Sequence, residues 1–122
     1  MGKSAIRTEA SSLTREQRVA LFRIIHASRR IDDREITGKR QNKVFFQING
    51  AGHEALQAAA ALCLRPGHDW FFLYYRDRAL AYGLGVTAKD MFLGSVGSKE
   101  DPATGGRQMP GHWSDHLSRE PP

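Results

Sequence analysis

Cysteine is almost absent from this sequence. Cys63 is the single one in 122 residues, so no disulfide can form within the chain, and the cytoplasm is the expected compartment. Its alanine-leucine surroundings make Cys63 read as a small buried hydrophobe. Long apolar runs are missing too: none approaches the roughly 18 residues that a membrane-spanning helix needs. The opening stretch, MGKSAIRTEASSLTREQ, lacks the apolar centre of a secretory signal, and none is expected. No histidine stands four residues after His53. His112 and His116 do have that spacing, but among glycine and proline, so no metal site is expected. GAGHEA contains Gly50 and Gly52 without the third glycine of the dinucleotide fingerprint. No serine occupies a nucleophile elbow, and a lone buried cysteine makes a poor nucleophile.

What is present is ordinary in bulk. A hydrophobic fraction of 40% and a charged fraction of 25% suit one soluble domain of this length. The net charge of +5 raises the question of nucleic acid. The basic cluster from Arg23 to Lys43, however, is interrupted by Asp32, Asp33 and Glu35. Such interleaving reads as a solvated helix face. It also lacks the interspersed aromatics used for base stacking, so no nucleic-acid partner is expected.

Residues 1–11 read as a flexible N-terminus. Ser12 or Thr14 can cap a long amphipathic helix whose apolar stripe includes Val19, Phe22, Ile25 and Ile31, with Gly38 marking its end. Val44 to Ile48 is a short extended segment. HEALQAAAALCL, nearly free of charge, predicts a helix buried all round, and Arg65 to Asp69 breaks it. Trp70 to Tyr74 is apolar at every position, the pattern of a strand buried on both faces in a parallel sheet. Helix resumes from Arg76 to Gly83, and Thr87 can cap another. Gly97 to Gly106 reads as a polar loop and RQMPGHW as irregular backbone. The fold class expected is therefore α/β.

Two stretches carry candidate chemistry. Tyr75 and Arg76 stand where a buried strand would meet a helix, a place where open α/β sheets bind ligands. A planar arginine fork there suits phosphate oxygens, and Tyr75 adds a hydroxyl. The other reading pairs Arg76 with a nearby acid and makes Tyr75 a core aromatic. Arg78 projects from a different side of the helix, so ligand binding is expected to be far more tolerant of its substitution than of Arg76's. In GGRQMPGHW, Gly105 and Gly106 allow close backbone approach, Arg107 suits an anion, and His112 can handle a proton near neutral pH. The same residues would also make a surface turn anchored by Trp113.

FFQINGAGHEALQAAAAL, YYRDRAL and GGRQMPGHW, in this order, resemble the alpha portion of thiamine-diphosphate-dependent 2-oxo acid dehydrogenases. The likeness is nearest to the branched-chain type of this decarboxylating first component and runs from about Leu13 to about Trp113. It implies the N-terminal part of a thiamine-diphosphate-binding fold, a parallel sheet flanked by helices, mostly helical in this stretch and incomplete. It implies that Tyr75 and Arg76 reach the cofactor's diphosphate, and that the loop bearing His112, the candidate catalytic residue, lies near the mouth of the active site. A beta portion or subunit, a lipoylated acyltransferase core and a 2-oxo acid substrate are the implied partners, with pyruvate as an alternative substrate. The family's Gly-Asp-Gly magnesium motif is absent here. Residues 12–113 are thus expected to be part of the dehydrogenase alpha domain and 114–122 an irregular truncated tail, the chain being inactive alone. An unrelated reading is a non-catalytic module that docks through its basic first helix.

Overall fold

Thr14 opens the architecture with a capping box. Its hydroxyl accepts from the Gln17 N–H at 3.2 Å, while the Gln17 side chain accepts from the Thr14 N–H at 2.9 Å. Helix α1 follows as Arg15–Arg40 in the computed structural model, which describes residues 13–113. The expected flexible N-terminus and truncated tail lie outside the described residues. The helix does not stop at Gly38. Asn42 takes the left-handed position at φ 57°, and the Lys43 and Asn42 N–H groups close back on the Gly38 and Lys39 carbonyls at 2.9 and 3.1 Å. Gly38 instead makes room, since a Cβ there would fall 2.8 Å from Val44 Cγ2.

Helix α2 (Glu54–Cys63) buries only one stripe: Glu54, Gln57, Ala58 and Ala61, the spacing of a single helical face. That stripe packs on α1 and on α3 (Arg78–Gly83). Two neighbours cover one side of a helix, so the expectation of burial all round fails. Leu56, Leu62 and Cys63 are exposed, and Cys63 is not the buried hydrophobe its surroundings suggest. Helix α4 (Ala88–Ser95) begins at Thr87, the cap the sequence anticipates, which forms a capping box with Asp90.

Small residues let three helices meet closely. Ile24 of α1, Ala58 and Ala61 of α2, and Ala79 of α3 form one apolar cluster. Gly83 completes the contact, because a Cβ at this position would lie 2.5 Å from that of Ala61. Ile31, Ala81, Val86 and Met91 form a second cluster, over which Leu73, Phe92 and Trp113 pack.

No strand forms among the described residues. The doubly buried strand expected at Trp70 to Tyr74 is absent. Trp70 is 92% and Phe72 97% exposed, whereas Leu73 reaches the second cluster. A strand exists only by pairing with a neighbour, and neither 44–48 nor 70–74 has one here. Exposure still alternates residue by residue from Trp70 to Tyr75. One side of this segment faces the helices and the other faces outward. No helix among the described residues is long and apolar enough to cross a membrane.

Candidate functional site

The turn from Tyr74 to α3 is organised by two side chains. Asp77 Oδ2 accepts from the Tyr74 N–H at 2.8 Å, and Asp77 Oδ1 accepts from Gln57 Nε2 at 3.0 Å. Gln57 of α2 also donates to the Arg76 carbonyl at 3.1 Å and accepts from the Ala79 N–H at 3.1 Å. The α3 start is therefore capped by a side chain from another helix, which engages the Ala79 amide. Both Asp77 oxygens are thus occupied, one by the turn's own Tyr74 N–H and the other by Gln57 of α2.

Tyr75 and Arg76 are left half-buried on the outer side of that turn. Arg76 lies over the Tyr75 ring, 5.4 Å from its centre, and donates through Nη1 to the Asn49 carbonyl at 3.0 Å. Among the described residues no carboxylate pairs with it, so the reading that neutralised Arg76 by a nearby acid loses its partner. The Tyr74 and Tyr75 hydroxyls are hydrogen-bonded, which pushes the Tyr74 phenol above its ordinary value.

The 107–113 segment meets this turn at one point. Gly111, at φ 89°, sits so close to Tyr75 that a Cβ there would lie 3.3 Å from the Tyr75 Cβ. A hollow lined by Phe46, Ile48, Tyr75, Arg78, Gly111 and Trp113 opens on one side of the 110–113 turn. His112 is exposed, bonds through Nδ1 to the Met109 carbonyl at 2.8 Å, and lines a different hollow with Asp101, Met109 and Trp113. The structure thus joins Tyr75 and Arg76 but sets His112 across the turn from them. Arg107, whose Nε donates to the Thr104 carbonyl at 3.1 Å, holds its own loop.

Behind the turn lies a buried ionic cluster. Arg78 contacts Asp32 Oδ1 through Nε at 3.3 Å and Glu35 Oε2 through Nη2 at 2.5 Å. Glu35 also accepts from the Ser95 hydroxyl, and Asp32 Oδ2 accepts from the Gly50 N–H at 3.0 Å. Asp32, Glu35 and Arg78 are 1%, 2% and 4% exposed. Burial pushes the Asp32 carboxyl above its ordinary value, although Arg78 and the Gly50 N–H pull it the other way. The expectation of a solvated helix face fails for Asp32 and Glu35, because α1 turns these carboxylates toward α3 and α4 rather than to water.

Over residues 23–119 the chain matches the family described as dehydrogenase E1 component. The chain belongs to that family. It is 37% identical over 116 residues to the 2-oxoisovalerate dehydrogenase subunit alpha of Bacillus subtilis, covering 95% of this chain and 35% of the relative. The protein of that name from Pseudomonas aeruginosa is 33% identical over 98 residues, 80% of this chain and 23% of its own. A third relative, 2-oxoisovalerate dehydrogenase subunit alpha 2, mitochondrial, from Arabidopsis thaliana, is 32% identical over 78 residues. The chain spans about a third of the length of the first of these and less of the others. No solved structure matches. The resemblance drawn from the sequence motifs is to this same family and to its branched-chain members.

Sequence reasoning missed Gln57 and the Asp32–Glu35–Arg78 cluster. Gln57 sat within an alanine run as one more helix former. A signal for the carboxylates was present: Asp32 and Glu35 share the helical stripe of Ile24, Ser28 and Ile31.

Proposed function

We propose that this chain is the N-terminal part of the alpha portion of a thiamine-diphosphate-dependent branched-chain 2-oxo acid dehydrogenase, and that Tyr75 and Arg76 hold the cofactor's diphosphate. The observation that carries this reading is the Tyr75–Arg76 step itself. An arginine fork and a phenol stand on the outer side of the turn, while the neighbouring carboxylate of Asp77 is occupied inward. That donor set suits an anion such as a diphosphate. When bound, thiamine diphosphate supplies the nucleophilic carbon and the electron sink for decarboxylating a 2-oxo acid.

This chain's own residues bind and orient. Gln57 fixes the turn, Asn49 directs the arginine fork, and Gly111 seats the 110–113 turn against Tyr75. His112, which lines the neighbouring hollow rather than that of Tyr75, is proposed as a proton-handling group near the mouth of the site, on the family resemblance and its exposure. Magnesium ligands, the beta partner and a lipoylated acyltransferase core belong to the complete enzyme under this reading, as does a cytoplasmic location. The α/β sheet is part of the same proposal. The alternating exposure from Trp70 to Tyr75 supports it, since an outward apolar face is what a neighbouring layer would cover.

The test uses the complete alpha chain assembled with its beta partner. Arg76→Ala is expected to weaken thiamine diphosphate binding by about 2–3 kcal/mol, the loss of a charge-assisted contact in a shielded site. Calorimetric titration at saturating magnesium measures this. Affinity equal to that of the parent refutes the assignment.

A further inference from the structure

We propose that Asp32 is a positioning residue for the Arg76 guanidinium, acting through the Asn49–Gly50 peptide group and through Arg78. The proposal deepens the reading of Arg76 as a diphosphate contact and rests on it for its consequence. Its geometry stands apart from that reading.

A carboxylate with 1% exposure is costly to bury. If Asp32 served stability alone, apolar side chains of similar volume would serve as well. Its contacts point elsewhere. Asp32 Oδ2 accepts from the Gly50 N–H at 3.0 Å. On the other side of the same peptide group, the Asn49 carbonyl accepts from Arg76 Nη1 at 3.0 Å. A peptide group is planar, so fixing the direction of its N–H fixes the direction of its C=O. Asp32 therefore sets the orientation of the carbonyl that holds the arginine fork, and hydrogen bonds in such a chain polarise one another.

The backbone of Arg76 is fixed by the same pieces. Gly50 lies against the Arg76 carbonyl so closely that a Cβ on Gly50 would be 3.0 Å from that oxygen. The other oxygen of Asp32 contacts Arg78 Nε at 3.3 Å, anchoring the first turn of α3 just after Arg76. Glu35 holds the far end of the Arg78 fork and accepts from Ser95 of α4. One buried carboxylate thus governs both the main chain and the side chain of Arg76.

The experiment uses the chain itself, with the Arg76 Nε–H nitrogen resonance as the reporter and inorganic pyrophosphate as the probe. In the parent the Arg76 heteronuclear NOE should match that of the helical backbone, and pyrophosphate should shift the resonance. Asp32→Ala is expected to lower the NOE toward that of a free side chain and to raise the pyrophosphate Kd about tenfold, the scale of one lost orienting hydrogen bond. Asp32→Asn keeps an acceptor for the Gly50 N–H and should stay within about threefold of the parent. Gly50→Ala pushes on Arg76 and on the peptide group Asp32 holds without removing a buried charge, and it stands in if Asp32→Ala does not fold. A lowered melting temperature with an unchanged Arg76 NOE and Kd in the folded variant overturns the proposal, since that is what a purely structural carboxylate would give. If pyrophosphate leaves the parent's Arg76 unmoved, the diphosphate reading fails, and the NOE response alone decides the positioning role.

Discussion

Replacing Arg78 by methionine removes the only cation from the buried cluster while keeping most of its volume. In the parent, Arg78 lies 3.3 Å from one carboxylate and 2.5 Å from the other. At an effective dielectric constant of about 20 such contacts are worth roughly 5 and 7 kcal/mol before desolvation. Desolvating each ion costs several kcal/mol, so the intact cluster contributes little net stability. Deleting one member is a different matter. Asp32 and Glu35 are then left facing each other in the interior, and breaking a buried pair costs about 3–5 kcal/mol. For a chain of this size that is a fall in Tm of more than about 12 °C.

The pH dependence of that variant supplies a second check with a definite sign. Without Arg78 the burial that pushes the Asp32 carboxyl up is no longer opposed by that cation, so the folded variant binds more protons than the unfolded state. Stability must then rise as the pH falls from about 7 toward 5. Exchanging Glu35 as well, in Glu35→Met/Arg78→Met, removes one stranded charge and should recover much of the loss. Circular dichroism melts of the parent, the single and the double variant across that range measure both effects. A loss below about 1 kcal/mol for Arg78→Met, or stability of that variant that falls with acidification over this range, refutes the argument.

Two glycines in helices should respond oppositely to alanine. Gly83→Ala forces a Cβ to 2.5 Å from that of Ala61 and should cost about 1–3 kcal/mol in urea denaturation. Gly94→Ala meets only Asp101 at ordinary contact distance and should gain about 0.5–1 kcal/mol from helix propensity. Glu54, held below its ordinary value of 4.5 by its own backbone N–H, Arg29 and the Gly52 N–H against the opposing effect of burial, contributes stability that is present above that value. This contribution is lost as the pH falls through the folded value, so Glu54→Gln should flatten the acid limb of a melt-versus-pH profile. Trp70 and Phe72 stand almost fully exposed, so Trp70→Ser with Phe72→Ser should cut binding of an apolar dye and leave the Tm unchanged; a large fall in Tm would show that these rings pack.

Local chemistry was legible in the sequence because its partners are close along the chain. Thr14 with Gln17 and Thr87 with Asp90 each act across three residues, and both helix starts follow from residue type alone. The end of α1 was not legible in the same way. Gly38 and Asn42 both permit a left-handed residue; Asn42 takes that position, while the closeness of Val44, which leaves no room for a Cβ at Gly38, exists only once the chain has turned back. The strand expected at Trp70 to Tyr74 failed for a reason of the same kind. Its composition fits a sheet, but pairing needs a second backbone, which composition cannot provide.

The proposed site is named from its residues in the sequence, whereas its support was not legible there. Tyr75 and Arg76 could be named because an aromatic-arginine step before a helix has recognisable chemistry. The adjacent Asp77, however, would ordinarily compete for that arginine, and the sequence contains nothing nearby to prevent it. Gln57, twenty residues earlier in the chain, donates to one Asp77 oxygen, and the Tyr74 N–H occupies the other. Asp32, eighteen residues before Gly50, orients the carbonyl that draws the arginine fork aside. Availability of an arginine for a ligand is therefore a property of what occupies its neighbours. That information is carried by polar residues on helix faces which periodicity alone assigns to the core or to solvent. In α1 the stripe Ile24, Ser28, Ile31, Asp32, Glu35 places two carboxylates among core positions. Core carboxylates require partners brought from elsewhere in the chain, and Arg78 is the residue that meets both.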